Sequence, residues 1–453
     1  MAHYDLFVIG GGSGGTPSAR LSASYGAKVA IAEGDKFGGT CVNRGCMPKK
    51  WYMYASQYGS EFAAAKSYGW EFENPKLNWQ ILKENTFKEV VRLNGLYDTA
   101  LGRAGVKVYN GFARFLNDRT VEVNGEQITA DKFMIAVGAK PLKAPIEGAE
   151  YAITSNEAFH LEKLPESILI IGGGYIGVEF AGIFNGFGVA TKLMVRAGDI
   201  LRGFDEDVRH HVHKELEKKG IEIITTTNPV RISKQGNNSL TLRCDHNKDW
   251  DVETVMFATG RTPNLDHLGL DSTGVKLDER GKIIVDEWQQ TNIPHIYAVG
   301  DVTNTHLDLT PVAINEGRAF ADTHFGNNKR NLSDFITPTA VFSQPQVGAV
   351  GLTEEQARKK YKNIDVYRTS FGPTKYRLSS DIKEELLMKL IVDADSDKIV
   401  GTHMVGPEAA ELIQLLGVAL RAGATKYEFD HTIGVHPTLA EEFVTMREKV
   451  SAK

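Results

Sequence analysis

Two glycine-rich segments, each placed between an apolar run and a helical pattern, constrain the fold of this chain most strongly. The first spans residues 10–15 after the apolar run 6–9, and the second spans 172–177 after the run 167–171. Both have the Gly-x-Gly-x-x-Gly spacing: the first glycine forms the turn, the second admits a pyrophosphate to the backbone, and the third lets strand and helix pack closely. The N-terminus of the following helix attracts the phosphates. The duplication predicts an α/β fold with two Rossmann-like dinucleotide-binding domains.

The residue that ends the second strand differs between the two units. Glu33 follows the run 28–32, and an acid at this position accepts hydrogen bonds from the hydroxyls of an unphosphorylated ribose. Arg196 follows the run 191–195 of the second unit, and Arg202 comes shortly after it. Two guanidiniums can bind a 2′-phosphate, which a carboxylate would repel. We therefore expect one site to take a flavin dinucleotide and the other NADPH.

Two of the three cysteines in the chain, Cys41 and Cys46, fall within one glycine-flanked turn at 38–50. This spacing places them little more than one helical turn apart, close enough for the sulfurs to bond. A zinc site needs more ligands, and Cys244 is about two hundred residues away with no pair of histidines beside it. We interpret the pair as a redox-active dithiol and expect no metal.

The last segment, 336–453, mixes apolar strands with a long helix over 409–422 and is predicted to form an α+β domain. Within it, His436 precedes Glu441 by five residues, so the carboxylate could orient the imidazole for protonation of a thiolate leaving group. Upstream, Asp301 ends the run 296–300, where it could hydrogen-bond a ribityl hydroxyl of the flavin. The predicted domains are 1–137 (FAD and dithiol), 138–263 (NADPH), 264–335 (central, completing the FAD site) and 336–453 (the separate α+β domain).

Charge and composition narrow the functional class. The net charge of −5 provides no basic field for nucleic acid or an anionic membrane. No apolar run reaches the length of about 18 residues that a transmembrane helix needs. Few cysteines indicate a reducing compartment, so we expect a cytoplasmic protein.

Together, these motifs closely resemble the pyridine nucleotide–disulfide oxidoreductase family, essentially from end to end. The segments that carry the resemblance are 38–50, 172–179, 258–261, 298–301 and 436–441. The resemblance implies NADPH-dependent reduction of glutathione disulfide through FAD and the dithiol. It also implies a homodimer whose active sites are shared between subunits, with 336–453 as the interface or dimerisation domain.

The resemblance also implies roles for individual residues. Cys46, nearer the flavin, would form a charge-transfer thiolate, and Cys41 would attack the substrate disulfide. His436 would act as the acid–base group of the second subunit's site, oriented by Glu441.

Further roles concern the cofactors and the substrate. Lys49 and Glu179 would pair near the flavin, and Tyr175 would cover the nicotinamide pocket. The predicted cofactor-binding residues are Gly10, Gly12, Ser13, Gly15, Glu33, Gly39, Thr40, Lys49, Ala113, Gly138, Asp301, Thr310, Gly172, Gly174, Ile176, Gly177, Glu179, Arg196, Arg202 and Gly260. The predicted substrate-binding residues are Ser13, Arg20, Tyr97 and Arg318.

Two other hypotheses remain compatible with these residues. One is a reductase of a modified low-molecular-weight disulfide, such as an amidated or polyamine-conjugated glutathione. The other is a non-catalytic flavoprotein that serves as a binding module, which the complete set of predicted catalytic residues disfavours.

Overall fold

The computed structural model describes residues 1–73, 75–236, 239–304 and 307–450. The α-helices are α1 (Gly15–Ser24), α2 (Gly39–Arg44), α3 (Cys46–Ser67), α4 (Trp79–Arg103), α5 (Ser155–Ala158), α6 (Tyr175–Gly186), α7 (Glu206–Lys218), α8 (Thr310–His324), α9 (Glu354–Lys360), α10 (Ala409–Arg421), α11 (Lys426–Asp430) and α12 (Glu442–Thr445).

The strands are β1 (Ala2–Ile9), β2 (Val29–Glu33), β3 (Lys107–Asn110), β4 (Ala113–Asn117), β5 (Thr120–Val123), β6 (Glu126–Ile135), β7 (Ala139–Pro141), β8 (Ile153–Thr154), β9 (Ser167–Ile171), β10 (Ala190–Met194), β11 (Glu222–Ile224), β12 (Pro229–Lys234), β13 (Leu240–Cys244), β14 (Asp249–Val252), β15 (Thr254–Phe257), β16 (Arg261–Pro263), β17 (Ile296–Ala298), β18 (Thr339–Val341), β19 (Val347–Gly351), β20 (Ile364–Phe371), β21 (Leu386–Asp393) and β22 (Ile399–Val405).

The chain forms two compact units. The first contains Met1–Trp51, Gln80–Leu142 and Gly260–Phe335, and the second contains Tyr52–Trp79, Lys143–Thr259 and Ile336–Lys453. The four-domain division remains a prediction.

The first unit is built on a seven-stranded sheet in the order β3-β2-β1-β6-β5-β4, with β17 also paired to β6. Strands β1, β2, β6 and β17 are parallel, and their registers place Ile9 beside both Ala32 and Ile135, and Ile135 beside Ala298. Helices cover parallel sheets on both faces, which explains why these strands are nearly continuous apolar runs. Their carboxyl ends meet at one edge, where Gly10, Glu33 and Asp301 follow.

The second unit contains a smaller parallel sheet, β11-β10-β9-β15-β8. Ile171 of β9 pairs with both Met194 and Phe257, so Gly172 and Arg196 follow neighbouring strand ends. The duplication predicted from the glycine segments therefore exists as two sets of parallel strands, one in each unit, and the first sheet also carries the antiparallel strands β4 and β5.

Two antiparallel sheets complete the second unit, in the orders β12-β13-β14 and β18-β19-β22-β21-β20. All eight residues of β21 are buried. Helix α10 packs on the larger sheet through residues on one face, including Ala409, Ile413 and Leu420. Residues 336–450 therefore form the expected mixture of α and β structure, and the α/β fold class is confirmed. In the ranges given above, no helix is long and apolar enough to cross a membrane.

Candidate active site and nucleotide-binding turns

The first glycine turn can form only because key positions lack a side chain. Gly10 has a φ of +102°, and a Cβ there would lie 2.5 Å from the Ala136 carbonyl oxygen. A Cβ on Gly15 would lie 1.9 Å from the Gly10 oxygen, so α1 begins directly against the strand end. Within the described chain, no side chain caps α1. Thr16 N donates to the Gly12 oxygen at 3.1 Å, and the positive end of the helix dipole at this turn fits a bound pyrophosphate.

Glu33 is fixed beside this turn by backbone donors. Gly11 N donates to Glu33 Oε2 at 2.7 Å, and Asp35 N donates to Oε1 at 2.8 Å. Burial raises the pKa of Glu33, and these two N–H groups partly offset the rise. Gly111 N donates to the Glu33 carbonyl at 2.8 Å, which brings Ala113, two residues later, toward this end of the site.

A second close approach joins the turn to the dithiol segment. Gly39 has a φ of +58°, and a Cβ on it would lie 2.8 Å from the Gly12 Cα. The two glycines therefore let the backbones of the nucleotide turn and of α2 come together. Thr40 follows in the first turn of α2, and Gly138, with a φ of +66°, follows the end of β6.

The spacing predicted that the two cysteines lie little more than one helical turn apart. In the structure they lie on two different helices. Cys41 belongs to α2 and Cys46 begins α3, and Gly45 breaks the helix between them with φ −148° and ψ −119°. A Cβ on Gly45 would lie 2.8 Å from the Thr40 oxygen, so this tight break requires a glycine. The break turns the two thiols toward each other.

Cys41 and Cys46 are close enough to hydrogen-bond. This hydrogen bond, burial and the negative charge of Cys46 raise the pKa of the Cys41 thiol, while Thr310 and Lys49 act in the opposite direction. Cys46 Sγ also lies 3.5 Å from the Thr310 hydroxyl oxygen. The raised pKa of Cys41 favours its thiol form over its thiolate form.

Residues expected to bind substrate lie in the same unit as the dithiol. Burial raises the pKa of Tyr97, the charges of Cys41 and Cys46 add to the rise, and Arg20 opposes it. These effects place Tyr97 near both thiols and near the exposed Arg20 of α1. Ser13 is in the first glycine turn. Arg318 is exposed on α8, next to Gly317, where a Cβ would lie 2.4 Å from the Gly14 oxygen of the glycine turn.

Asp301 lies in a short 3₁₀ turn, Gly300–Val302, directly after β17. Its Oδ2 is 3.8 Å from Arg261 Nε. Burial raises the pKa of Asp301, the charge of Asp308 adds to the rise, and Arg261 and Lys282 oppose it. A carboxylate at the meeting point of the parallel strand ends is well placed to accept a hydrogen bond from a bound flavin.

The second glycine turn repeats the geometry of the first. Gly172 has a φ of +127°, and a Cβ there would lie 2.2 Å from the Ala258 oxygen. A Cβ on Gly177 would lie 1.9 Å from the Gly172 oxygen. Gly174 precedes α6, and in the residues described no side chain caps this helix. The turn thus offers a second pyrophosphate cradle, next to Ile176 in the first turn of α6.

The loop that carries Arg196 and Arg202 is fixed by its backbone while both arginines remain exposed. Leu201 N donates to the Gly173 oxygen at 2.7 Å, and Arg209 Nε donates to the Ile200 oxygen at 2.8 Å. The loop therefore lies against the glycine turn and presents two guanidiniums to solvent beside a phosphate cradle. Gly260, the last glycine predicted for cofactor contact, has a φ of +128° in the first unit.

Tyr175 and Glu179 lie one helical turn apart on α6. Tyr175 is the first residue of the helix and is 41% exposed, whereas Glu179 is buried and accepts a hydrogen bond from Phe342 N at 2.9 Å. The roles assigned to these residues and to Lys49 from the resemblance remain predictions.

His436 and Glu441 form a direct pair near the end of the chain. His436 Nδ1 lies 3.1 Å from each carboxylate oxygen, and Thr438 N donates to Glu441 Oε1 at 3.1 Å. The Thr438 N–H and His436 lower the pKa of Glu441, so it is ionised at neutral pH. The His436 side chain is 82% exposed, which leaves Nε2 free to face a molecule outside this chain.

Comparisons with known proteins agree with this geometry. A family model described as pyridine nucleotide-disulphide oxidoreductase matches residues 4–317, and the dimerisation domain of the same family matches residues 337–447. The chain is 48% identical to a glutathione reductase of Burkholderia cepacia, over 98% of this chain and 99% of the relative. It is 47% identical to that of Nostoc sp. with 98% and 99% coverage, and 44% identical to the chloroplastic/mitochondrial enzyme of Pisum sativum with 98% and 82% coverage.

The chain belongs to the pyridine nucleotide-disulphide oxidoreductase family. The resemblance inferred from the motifs is confirmed, and the expected cofactors, FAD and NADPH, are those this family uses. Cys244, the cysteine outside the dithiol, is buried with its sulfur 3.7 Å from that of Met194, and burial raises its pKa to about 11. Cys244 belongs to the second unit, whereas both cysteines of the dithiol belong to the first.

Some charged residues around Asp301 were given no individual role from the sequence, although Arg261 belongs to the segment 258–261 that carries the resemblance. Arg261, Lys282, Asp308 and Glu316 surround Asp301, yet they come from three separate stretches of chain. Arg261 directly follows Gly260, so its position after a predicted strand end was an available signal. Lys282 and Glu316 carried no local signal, because a lone charged residue in a loop or helix is usually solvated.

Proposed function

We propose that this chain is an NADPH-dependent glutathione-disulfide reductase that works as a homodimer. The observation that carries the proposal is identity of 44–48% to glutathione reductases over 98% of the chain, together with the facing Cys41 and Cys46 thiols. The small number of cysteines favours the cytoplasm as its location.

FAD is proposed to lie along the carboxyl edge of the first sheet. The Gly10–Gly15 turn and α1 would hold its pyrophosphate, Glu33 an adenosine ribose and Asp301 the ribityl chain. A bound flavin supplies the two-electron chemistry that links NADPH to the dithiol. Lys49 is proposed to support it, and the other predicted contacts of the first unit are Gly39, Thr40, Ala113, Gly138 and Thr310. Glu179 belongs to the second unit, and its pairing with Lys49 remains a prediction.

NADPH is proposed to bind the second glycine turn. Arg196 and Arg202 would bind its 2′-phosphate, since guanidiniums form short bidentate hydrogen bonds with phosphate oxygens. Tyr175, half-exposed at the start of α6, is proposed to cover the nicotinamide pocket until the nucleotide displaces it.

The reduced dithiol then cleaves the substrate in two exchange steps. The Cys41 thiolate attacks one sulfur of glutathione disulfide, so a mixed disulfide forms and the first glutathione leaves as a thiolate. The Cys46 thiolate attacks the Cys41 sulfur, which restores the internal disulfide and releases the second glutathione. Each leaving thiolate takes up one proton.

His436 is proposed to move these protons. Because the pKa of Cys41 is raised, its thiol must lose a proton to a base before attack, and the same base can then protonate the first leaving thiolate. Glu441 holds the imidazole through Nδ1 and leaves Nε2 for this transfer. We propose that the pair serves the dithiol of the partner subunit, which is consistent with its exposure.

The substrate is proposed to be bound by cations and hydroxyls around the dithiol. Glutathione disulfide carries four carboxylates, so a site with Arg20, Arg318, Tyr97 and Ser13 offers it suitable donors. An amidated or polyamine-conjugated disulfide carries fewer negative charges, so a reductase of that substrate would need fewer cations than Arg20 and Arg318 provide.

The test is steady-state turnover by the purified holoprotein, with NADPH and NADH each tried against glutathione disulfide, trypanothione disulfide and lipoamide. Rapid NADPH-dependent turnover of glutathione disulfide alone is expected. Preference for a modified disulfide would favour the alternative substrate class. Flavin reduction without turnover of any disulfide would favour a binding module and contradict the proposal.

A further inference from the structure

Helix α8 carries two residues that face different parts of the proposed flavin region. Thr310 begins the helix, and its hydroxyl lies 3.5 Å from Cys46 Sγ. Glu316, almost two turns later, is only 2% exposed. All of these residues belong to the first unit.

Glu316 is tied to the turn that carries Asp301. Gly300 N donates to Glu316 Oε2 at 2.7 Å. Gly300 has a φ of +78°, and its carbonyl accepts from Thr303 N at 2.9 Å, so this residue sets the path of the Gly300–Val302 turn. A single carboxylate therefore links α8 to the backbone immediately before Asp301.

The charges around Glu316 make it an unusual choice for a purely structural residue. The negative charges of Asp301 and Asp308 repel a charge on Glu316, and the positive charge of Lys282 attracts it. Lys282 also forms an ion pair with Asp308 at 2.7 Å. Arg261 Nε lies 3.8 Å from Asp301 Oδ2. Burial raises the pKa of Glu316 to about 7, against the opposing effect of the Gly300 hydrogen bond, and both aspartates add to the rise. An apolar side chain would fill this space without the cost of burying a carboxyl group.

We propose that Glu316 is a positioning residue for the flavin, holding the Asp301 turn at a fixed place relative to the Thr310 end of the same helix. This inference rests on the proposed function, because it assigns the Asp301 turn to the bound flavin. Ionised Glu316 holds Gly300 more strongly than neutral Glu316, because hydrogen bonds to charged acceptors are stronger. FAD is therefore bound less tightly when Glu316 is protonated.

The experiment follows FAD release from the holoprotein by the rise in flavin fluorescence, between about pH 6 and pH 8, the range that brackets a group titrating near neutrality. Wild-type protein is expected to release FAD faster as the pH falls through this range. Glu316→Ala removes the acceptor and is expected to release FAD about tenfold faster than wild type at about pH 8, as for the loss of one charge-assisted hydrogen bond, with a rate that does not change with pH. Glu316→Gln keeps an acceptor for Gly300 N and is expected to stay within about threefold of the wild-type rate, with no dependence on pH.

Glu215→Gln provides a matched control. Glu215 is also a buried glutamate, 1% exposed, and accepts from a backbone N–H, that of Glu385 at 3.3 Å, but it lies in the second unit. Its replacement is expected to leave both the FAD release rate and its pH profile unchanged. A change as large as that in the Glu316 variants would overturn the proposal, because the effect would then follow from the loss of any buried glutamate.

Two further results would also overturn it: a Glu316→Ala rate equal to wild type, or a Glu316→Gln profile that keeps the wild-type pH dependence. If Glu316→Ala does not fold, the Glu316→Gln profile decides alone. Failure of the proposed function is distinguishable, because wild-type protein would then lack FAD or leave glutathione disulfide unreduced. Failure of this inference alone would leave an active, FAD-containing enzyme whose release kinetics do not depend on Glu316.

Discussion

The Thr310 hydroxyl lies 3.5 Å from Cys46 Sγ, at the N-terminus of a 15-residue helix. The positive end of a helix favours negative charge within its first turn, so this contact favours a thiolate on Cys46. The charge on Cys46 in turn contributes to the raised pKa of Cys41. The two cysteines are therefore chemically different, and the difference leads to the first prediction.

Cys41→Ser should lower the rate of glutathione-disulfide reduction at least about a thousandfold, the scale seen when an enzyme loses its nucleophile. NADPH oxidation with an artificial electron acceptor should remain, because that reaction does not use the attacking thiol. Steady-state rates with both acceptors measure the effect. The control is Cys244→Ala, which should retain both activities. Substantial disulfide turnover by Cys41→Ser would refute the dithiol mechanism.

Removing Arg196 and Arg202 should shift nucleotide preference toward NADH. Each arginine that binds the 2′-phosphate should raise the KM for NADPH about tenfold when changed to alanine, since a hydrogen bond to a charged group is lost. The KM for NADH should hardly change. Arg231→Ala, which removes another exposed arginine of the second unit, is the control. Unchanged NADPH preference in the double variant would exclude these arginines from phosphate binding.

The sequence predicted best those features whose parts are close along the chain. The glycine turns, Glu33 at the end of β2 and the His436–Glu441 pair each lie within about one supersecondary unit, where spacing determines geometry. The dithiol was recognised, but its geometry was not, because the break at Gly45 depends on contact with Thr40. The pairing of Glu316 with Gly300 depends on how α8 packs beside β17, and no local pattern encodes it.

Glu441→Gln should lower disulfide turnover about tenfold or more, because the amide carries no charge to stabilise the protonated imidazole that forms during turnover. NADPH oxidation by an artificial acceptor should stay unchanged, since the imidazole acts only in thiol exchange. Glu442→Gln, at the adjacent position, is the control. Equal losses in both reactions of Glu441→Gln would indicate a general structural defect instead of an acid–base role.

Lys389, a buried lysine of the second unit, should be critical for stability. Lys389 is 1% exposed and bonds Asp205 at 2.8 Å, and Asp207 and Glu354 at 2.7 Å. Lys389→Met leaves these carboxylates without their central cation and should reduce the free energy of unfolding by about 3–5 kcal/mol. Chemical denaturation at neutral pH measures the loss. The control, Lys359→Met, removes an exposed ion pair with Glu355 and should cost less than about 1 kcal/mol.

The same cluster predicts how stability changes in acid. Although burial alone would raise the pKa of Asp205, the charges of His403 and Lys389 and the N–H of Glu354 bring it below its usual value. A carboxylate with a lowered pKa stabilises the fold above its unfolded-state pKa of about 3.9, and this contribution disappears as the pH falls through the folded-state value. The difference in unfolding free energy between wild type and Lys389→Met should therefore be constant near neutrality and shrink below about pH 4. A difference that stayed constant into that acid range would show that Lys389 stabilises the unit by packing and not by its charge.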